Sequence, residues 1–398
     1  MGNLPMNEVT SKHRMATQIS NPKLQLDERI PSTMRALVYR GINDMRLEIV
    51  PVPQIGPGEL LIKIATCGVC GTDLKKIHMG SHSAPRIFGH EMAGVVAAVG
   101  AGVTKAVGSG VTNFAVGDRV MSFHHVPCGT CYYCRKNTPA QCPLYKKTGA
   151  TAGFEPSGGG FAEYIRVMDF VVANRGVVHI PDDVPFEQAA FVEPLMTVLK
   201  GTKLLNLAAD DTVLVIGQGP IGLMHAVLAA RTGARVLTSD LFPERHAIAA
   251  RFGLTNPIHA DKENVVERVF AETEGRGADA VILAVGGNAL IRTAMDAVRP
   301  GGRVMLFAQT QHGEATFDPA AVCVDEKTLL GSYSSSFAVL DEVTDLVFDG
   351  YRNGFDLTQL ISHRFPFEEA VAAIEIASNP RPGSMKIMME PVPGAGAE

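Results

Sequence analysis

The sequence predicts an α/β protein: a parallel, doubly wound sheet in the second half of the chain, joined to a strand-rich first half. Three observations carry this. From about Leu195 short apolar strands alternate with helical segments, the pattern of βαβ units. One of those strands, Val213 to Ile216, runs directly into Gly217-Gln218-Gly219-Pro220-Ile221-Gly222 and then a helix. Ahead of Leu195 the chain is instead punctuated by glycine and proline, and six of its seven cysteines fall there. At 398 residues the chain exceeds one ordinary core, so two or three domains are expected.

Residues 1–33 are polar and charged and lack the apolar core of a secretory signal. They are expected to form a loose N-terminal extension of a cytoplasmic protein. Met34 to Tyr39 opens the folded body as a strand. Leu60 to Ala65 alternates apolar and polar residues, a second strand that delivers Cys67 to Asp73 at its end. Glu91 to Val99 is apolar and strand-like. Val99-Gly-Ala-Gly-Val-Thr-Lys-Ala is followed by a near copy, Val107-Gly-Ser-Gly-Val-Thr-Asn-Phe, which reads as a duplication that lengthened a surface turn. A strand resumes at Gly117, a cysteine-rich loop covers 128–142, and Ser157 to Tyr164 is a glycine turn entering a strand. In the second half, strands at Thr212–Ile216, Arg235–Ser239, Asp279–Val285 and Arg303–Phe307 alternate with helices at Ile221–Thr232, Pro243–Phe252 and Ala289–Val298. Lys327 to Tyr333 is expected to leave that sheet. Phe337–Gly350 and Phe367–Ala377 read as helices of a different layer, and Met385–Met389 as the last strand.

The net charge is −5, with no block of like charge, which argues against nucleic-acid and membrane-surface roles. No apolar run approaches the roughly 18 residues that span a bilayer.

Three groups of residues carry chemistry. Cys128-Gly-Thr-Cys131-Tyr-Tyr-Cys134, with Cys142 after seven intervening residues, offers four thiolates and no open position. That is the ligand set of a closed, structural zinc site in a cytosolic protein. The glycine loop at 217–222 has the strand–turn–helix context of a dinucleotide site. Gly217 makes the tight turn, Gly219 lets a pyrophosphate approach the backbone, and Gly222 permits close helix–strand packing. Asp240 ends the next strand, where a carboxylate accepts ribose hydroxyls and repels a 2′-phosphate, so NAD is favoured over NADP. Pro220, Ile221 and Arg245 complete the candidate cofactor-binding set. The third group is Cys70-Gly-Thr72-Asp73 with Gly89-His90-Glu91, joined by Glu193 of Phe191-Val-Glu-Pro. Cys70, His90 and either Glu91 or Glu193 could ligate a catalytic zinc, which keeps one position for water or substrate. Cys67 reads as a buried small hydrophobe, Cys323 as a core residue, and His124 and His125 as candidates for a cleft wall.

On these motifs, all in family order, the chain resembles the zinc-containing medium-chain dehydrogenase/reductases over about residues 34–390. It is nearest their sorbitol (polyol) and threonine dehydrogenase branch. The resemblance implies a GroES-like catalytic domain at 34–195 with the structural zinc lobe at 124–145. An inserted Rossmann NAD-binding domain follows at 196–335, and the chain returns to the catalytic domain at 336–398. It implies two zinc ions per chain, one catalytic and one structural, and a homodimer or homotetramer. Cys70 and His90 match direct zinc ligands, and Glu91 and Glu193 the carboxylates that bind zinc directly or through its water. Asp73 matches the residue that fixes a ligand imidazole, and Thr72 the hydroxyl that takes the proton of the substrate alcohol. Two positions depart from the family. Lys75 stands where many members carry a histidine that ends a proton relay. Ser334-Ser335 stands where sorbitol dehydrogenases show Arg-Tyr. The reaction implied is reversible oxidation of a secondary alcohol of a polyol or sugar-like substrate to the ketone. Amino alcohols and simple alcohols are the alternatives, and a non-catalytic NAD-binding scaffold is a further one.

Overall fold

A computed structural model describes residues 30–103, 114–145, 150–154, 158–308 and 313–391. Residues 1–29 of the N-terminal extension and 104–113 of the near-repeat lie outside the described residues.

Strands β1 (Thr33–Gly41), β2 (Asp44–Pro51) and β4 (Arg86–Ile87) form a small antiparallel sheet in the order β2-β1-β4. Strands β3 (Leu60–Gly68), β5 (Glu91–Val99), β6 (Arg119–Ser122), β7 (Ala150–Thr151), β8 (Tyr164–Val167) and β9 (Val177–His179) build most of a larger, mainly antiparallel sheet. The chain then lays down β10 (Thr212–Ile216), β11 (Arg235–Asp240), β12 (Pro257–His259), β13 (Ala278–Leu283), β14 (Val298–Leu306) and β15 (Thr328–Gly331). These are parallel, in the order β12-β11-β10-β13-β14-β15. Renumbered along the chain this is 3-2-1-4-5-6, the dinucleotide-binding order, with its switch point between β10 and β13. Their near-continuous apolar runs, buried throughout in β10 and β13, are what a sheet covered on both faces requires.

The last two strands, β16 (Ile361–Pro366) and β17 (Lys386–Glu390), rejoin the first unit. β17 pairs antiparallel with β3, setting Met388 opposite Gly68 and Met389 opposite Cys67. The C-terminal strand therefore ends beside the segment that opens the candidate metal site.

Two expectations need correction. Lys327–Tyr333 does not leave the parallel sheet, because Thr328–Gly331 pairs with β14 as its edge strand. Four residues beside a lysine and a glycine give too short a pattern to read. Cys323 is not core. It is exposed at the end of the short helix Pro319–Cys323, none of whose residues is buried. The sequence reading also omits β12 and the helix Val265–Glu272. Asn264 caps that helix, accepting from the Val266 and Glu267 N–H groups. Asn264-Val-Val-Glu267 was its legible start signal.

The helix Val192–Leu204, which carries Glu193, packs on the helix Pro220–Arg231 that follows the glycine loop. Thr202 and His225 meet at this junction, with Thr202 Oγ1 2.9 Å from His225 Nδ1. The Thr202 hydroxyl donates to the Val198 carbonyl at 3.1 Å, so it accepts from the ring N–H. His225 Nε2 is buried without a hydrogen-bond partner. Burial lowers the pKa of this ring to about 3. Above pH ~6.5 both folded and unfolded forms are neutral and the residue has no pH effect. Below that the unfolded chain takes up a proton that the fold refuses, so stability falls as the pH drops from ~6.5 towards 3. The loss is about 2 kcal/mol at pH 5. His225→Leu is expected to remove that part of the pH dependence. Urea denaturation at pH 7 and pH 5 measures it, and an unchanged difference between the two would contradict the assignment.

Candidate active site

The metal stretch is assembled by backbone pairing. β3 and β5 set Gly68 opposite Glu91 and Cys67 opposite Met92. Any side chain at Gly68 would collide with the Glu91 carboxylate. Past β3 the chain turns into the helix Gly71–Met79, with Cys70 as its N-cap. Cys70 Sγ accepts from the Thr72 N–H at 3.4 Å, and Asp73 Oδ2 accepts from the Cys70 N–H at 3.4 Å. The sulfur thus faces the positive end of a helix dipole.

Cys70 Sγ, a ring nitrogen of His90 and a Glu91 carboxylate oxygen all lie within 4.8 Å of one another. His90 Nδ1 is 3.0 Å from Asp73 Oδ1, both buried. That bond holds the ring and leaves Nε2 as the donor. Burial would lower the His90 pKa, but Asp73 and the Cys70 sulfur outweigh it and raise it well above the usual histidine value. Burial would raise the Asp73 carboxyl, but the facing His90 charge holds it below the ordinary range. The pocket is built to hold positive charge, which is the fit expected of a cation site.

Lys386 of β17 was not found from sequence. It is 6% exposed, and its ammonium pairs with the Glu91 carboxylate and donates to Val69 O at 3.4 Å. Burial would lower its pKa, yet the charges of Glu91 and Cys70 carry it above the usual lysine value. Its signal was a lone charge among Met385, Ile387, Met388 and Met389. Glu193 is 5% exposed and stands outside the 4.8 Å trio. Burial raises its pKa to about 7, with His90 and Lys386 opposing and Glu91 adding to the rise.

Thr72 is exposed on the first turn of its helix, and Lys75, half-buried, follows it by three residues on the same face. Cys67 is fully buried, and its thiol is pushed well up, first by burial, as a packing residue requires. His124 and His125 reach the site: the rings of His90 and His124 lie 4.8 Å apart, and those of His124 and His125 3.6 Å.

The four cysteines of the lobe form the second group of mutually close donors. Cys128–Cys134, Cys131–Cys134 and Cys142–Cys128 sulfurs are 3.9, 3.5 and 3.5 Å apart. These are far beyond a disulfide bond. They match the ~3.8 Å edge of a tetrahedron with Zn–S bonds of about 2.3 Å. Among the described residues no helix is long and apolar enough to cross a membrane.

At the glycine loop, Gly217 adopts φ +95°, and a Cβ on Gly222 would overlap the Gly217 carbonyl. Pro220 and Ile221 open the helix that follows. A Cβ on Gly219 would meet nothing, so that side of the turn is open. Asp240 ends β11 and accepts from Gln218 N at 2.7 Å, Phe242 N at 3.0 Å and Arg245 at 3.1 Å. This anchors the carboxylate beside the turn. Arg245 also reaches the Ser384 carbonyl at 3.5 Å, just ahead of β17.

Comparison with known proteins agrees with this architecture. Residues 56–182 match the alcohol dehydrogenase GroES-like domain, and residues 220–349 match the zinc-binding dehydrogenase family. A sorbitol dehydrogenase of Bacillus subtilis (strain 168) is 29% identical over 91% of this chain and 98% of its own. An L-threonine 3-dehydrogenase of Sinorhizobium medicae (strain WSM419) is 31% identical over 84% of this chain and 93% of its own. The solved structure of alcohol dehydrogenase TADH from Thermus sp. ATN1 superposes with a TM-score of 0.76 at 32% identity, over 90% of this chain and 99% of that one. Both halves of the chain, and relatives aligned along nearly their whole length, place it in one group: it belongs to the zinc-binding, medium-chain dehydrogenase family of alcohol-type oxidoreductases.

Proposed function

We propose that this chain is a zinc- and NAD-dependent dehydrogenase that reversibly oxidises a secondary alcohol of a polyol or sugar-like substrate to the ketone. The carrying observation is the trio Cys70, His90 and Glu91, with donor atoms within 4.8 Å and Asp73 behind the imidazole. Cys70 and His90 hold the catalytic zinc, with Glu91 or Glu193 as the carboxylate partner. Cys128, Cys131, Cys134 and Cys142 hold the structural zinc. Gly217, Gly219, Pro220, Ile221, Gly222, Asp240 and Arg245 bind the cofactor. When bound, zinc supplies a Lewis acid for the alcohol oxygen and NAD supplies the hydride acceptor.

The chain's own groups do the rest. Asp73 fixes the His90 ring through Nδ1. The Thr72 hydroxyl accepts the proton of the substrate alcohol, and Lys75, on the same helix face, stands where the proton leaves. Glu193, buried and close enough to feel the charges of His90 and Glu91, is the second carboxylate of the site. The divisions 34–195, 196–335 and 336–398, a cytoplasmic location and a homodimer or homotetramer belong to the same proposal. The edge position of β15, which has one strand neighbour among the described residues, supports oligomerisation.

The threonine 3-dehydrogenase likeness makes an amino alcohol the second reading. A panel of simple alcohols, polyols and L-threonine, each with NAD and with NADP and read as reduced-cofactor absorbance, decides. Polyols with NAD are expected to give the highest kcat/KM. Reduction with none of the panel would overturn the proposal.

A further inference from the structure

Beyond the residues assigned to zinc and NAD, the fold gathers three hydroxyls into one cluster. Tyr145 Oη lies 2.9 Å from Ser334 Oγ and 2.8 Å from Ser335 Oγ. Tyr145 comes from the end of the four-cysteine lobe, and the serines from the loop after β15. Tyr145 and Ser335 are 1% and 2% exposed, whereas Ser334 is half-buried and is the open corner of the cluster.

A line of ring contacts and a charge interaction tie this cluster to the metal site. In the first, the rings of Tyr145 and His125 meet edge-on at 3.8 Å, His125 meets His124 at 3.6 Å, and His124 meets His90 at 4.8 Å. In the second, Glu193 lies near enough to the phenol to oppose its ionisation. Burial and that carboxylate push Tyr145 up to about 12, against the pull of the serine hydrogen bonds, so the phenol keeps its proton.

The loop is pinned from the same helix that carries Glu193. Lys200 Nζ donates to the Tyr333 carbonyl at 2.7 Å and to the Ser334 carbonyl at 3.3 Å. Lys200 follows Glu193 by seven positions, two helical turns, so they project from one face about 10 Å apart along the axis. Ser334 sits at φ +60°, in the left-handed region. A non-glycine residue stays there when its surroundings hold it, and such residues concentrate at functional sites.

The hydrogen count leaves the cluster unfinished. Three hydroxyls bring three protons. Tyr145 donates to one serine and accepts from the other, which uses two. Among the described residues one serine proton and several lone pairs are left over, so the cluster can both donate to and accept from another hydroxyl.

We propose that Tyr145, Ser334 and Ser335 form a subsite that recognises a second hydroxyl of the substrate and so selects diols and polyols over mono-alcohols. The subsite rests on the dehydrogenase reading above. A buried hydroxyl site penalises the analogue that lacks the matching group, because its own polar atoms are left unpaired.

The test compares butane-2,3-diol with butan-2-ol, which differ by one hydroxyl, using the full-length zinc-loaded protein with NAD. The readout is the ratio of kcat/KM for the diol to that for the mono-alcohol. Tyr145→Phe and Ser335→Ala are each expected to lower this ratio about 10-fold or more. A ratio within about two-fold of wild type in both variants would overturn the subsite while leaving the dehydrogenase standing. A wild-type protein that oxidises no alcohol would remove both.

Discussion

Cys70→Ser is expected to lower kcat by on the order of 10³-fold or more while leaving NAD binding intact. A Lewis acid at the alcohol oxygen contributes several kcal/mol, and each ~1.4 kcal/mol is tenfold in rate. Cys70 supplies the only sulfur in the trio with His90 and Glu91. A serine oxygen is a harder, less acidic donor and holds zinc poorly beside imidazole and carboxylate. The glycine loop and Asp240 belong to the parallel sheet, so dinucleotide binding is a clean control for folding. Fluorescence titration with NADH checks the second half of this expectation, and steady-state turnover the first. Retained turnover in a Cys70→Ser protein that has lost its metal would end the zinc mechanism.

Lys386→Met should destabilise the zinc-free fold by roughly 3–5 kcal/mol, because it strands a buried carboxylate that no cation then faces. Glu91 and Lys386 are 2% and 6% exposed, so neither charge has water to fall back on. The same pair ties the last strand to the metal stretch, since the carboxylate belongs to β5 and the ammonium to β17. Removing both charges should recover most of the loss, as replacing a buried pair by neutral groups often does. The double variant Lys386→Met with Glu91→Gln is therefore expected to be more stable than Lys386→Met alone. Urea midpoints of wild type, both singles and the double, measured on zinc-stripped protein, give the coupling. A loss below about 1 kcal/mol for Lys386→Met, or no recovery in the double, would show that the pair does not hold the site.

How much of this was legible before the structure depended on distance along the chain. The glycine loop needs only a strand, a turn and a helix within one stretch, and it reads directly. The cysteine lobe is as local, with all four ligands inside fifteen residues. Lys386 acts across 295 residues through a strand pairing that no periodicity announces, and it was missed. Tyr145 meets Ser334 and Ser335 across 189 and 190 residues in the same way. The short edge strand β15 and the helix Val265–Glu272 were lost for a different reason. Each is too brief for its pattern to outweigh flanking charge and glycine, and the Asn264 cap was the one clear mark of the helix. A lone cysteine is usually buried, whereas Cys323 is exposed at the end of a helix none of whose residues is buried.

The most direct measurement of the central claim is the zinc content of the intact protein by native mass spectrometry, on wild type and on Cys70→Ser. The account predicts a second zinc per wild-type chain beyond the one in the cysteine lobe, and the loss of that second zinc alone in the variant. A wild-type chain that turns over alcohol with zinc only in the lobe would contradict it.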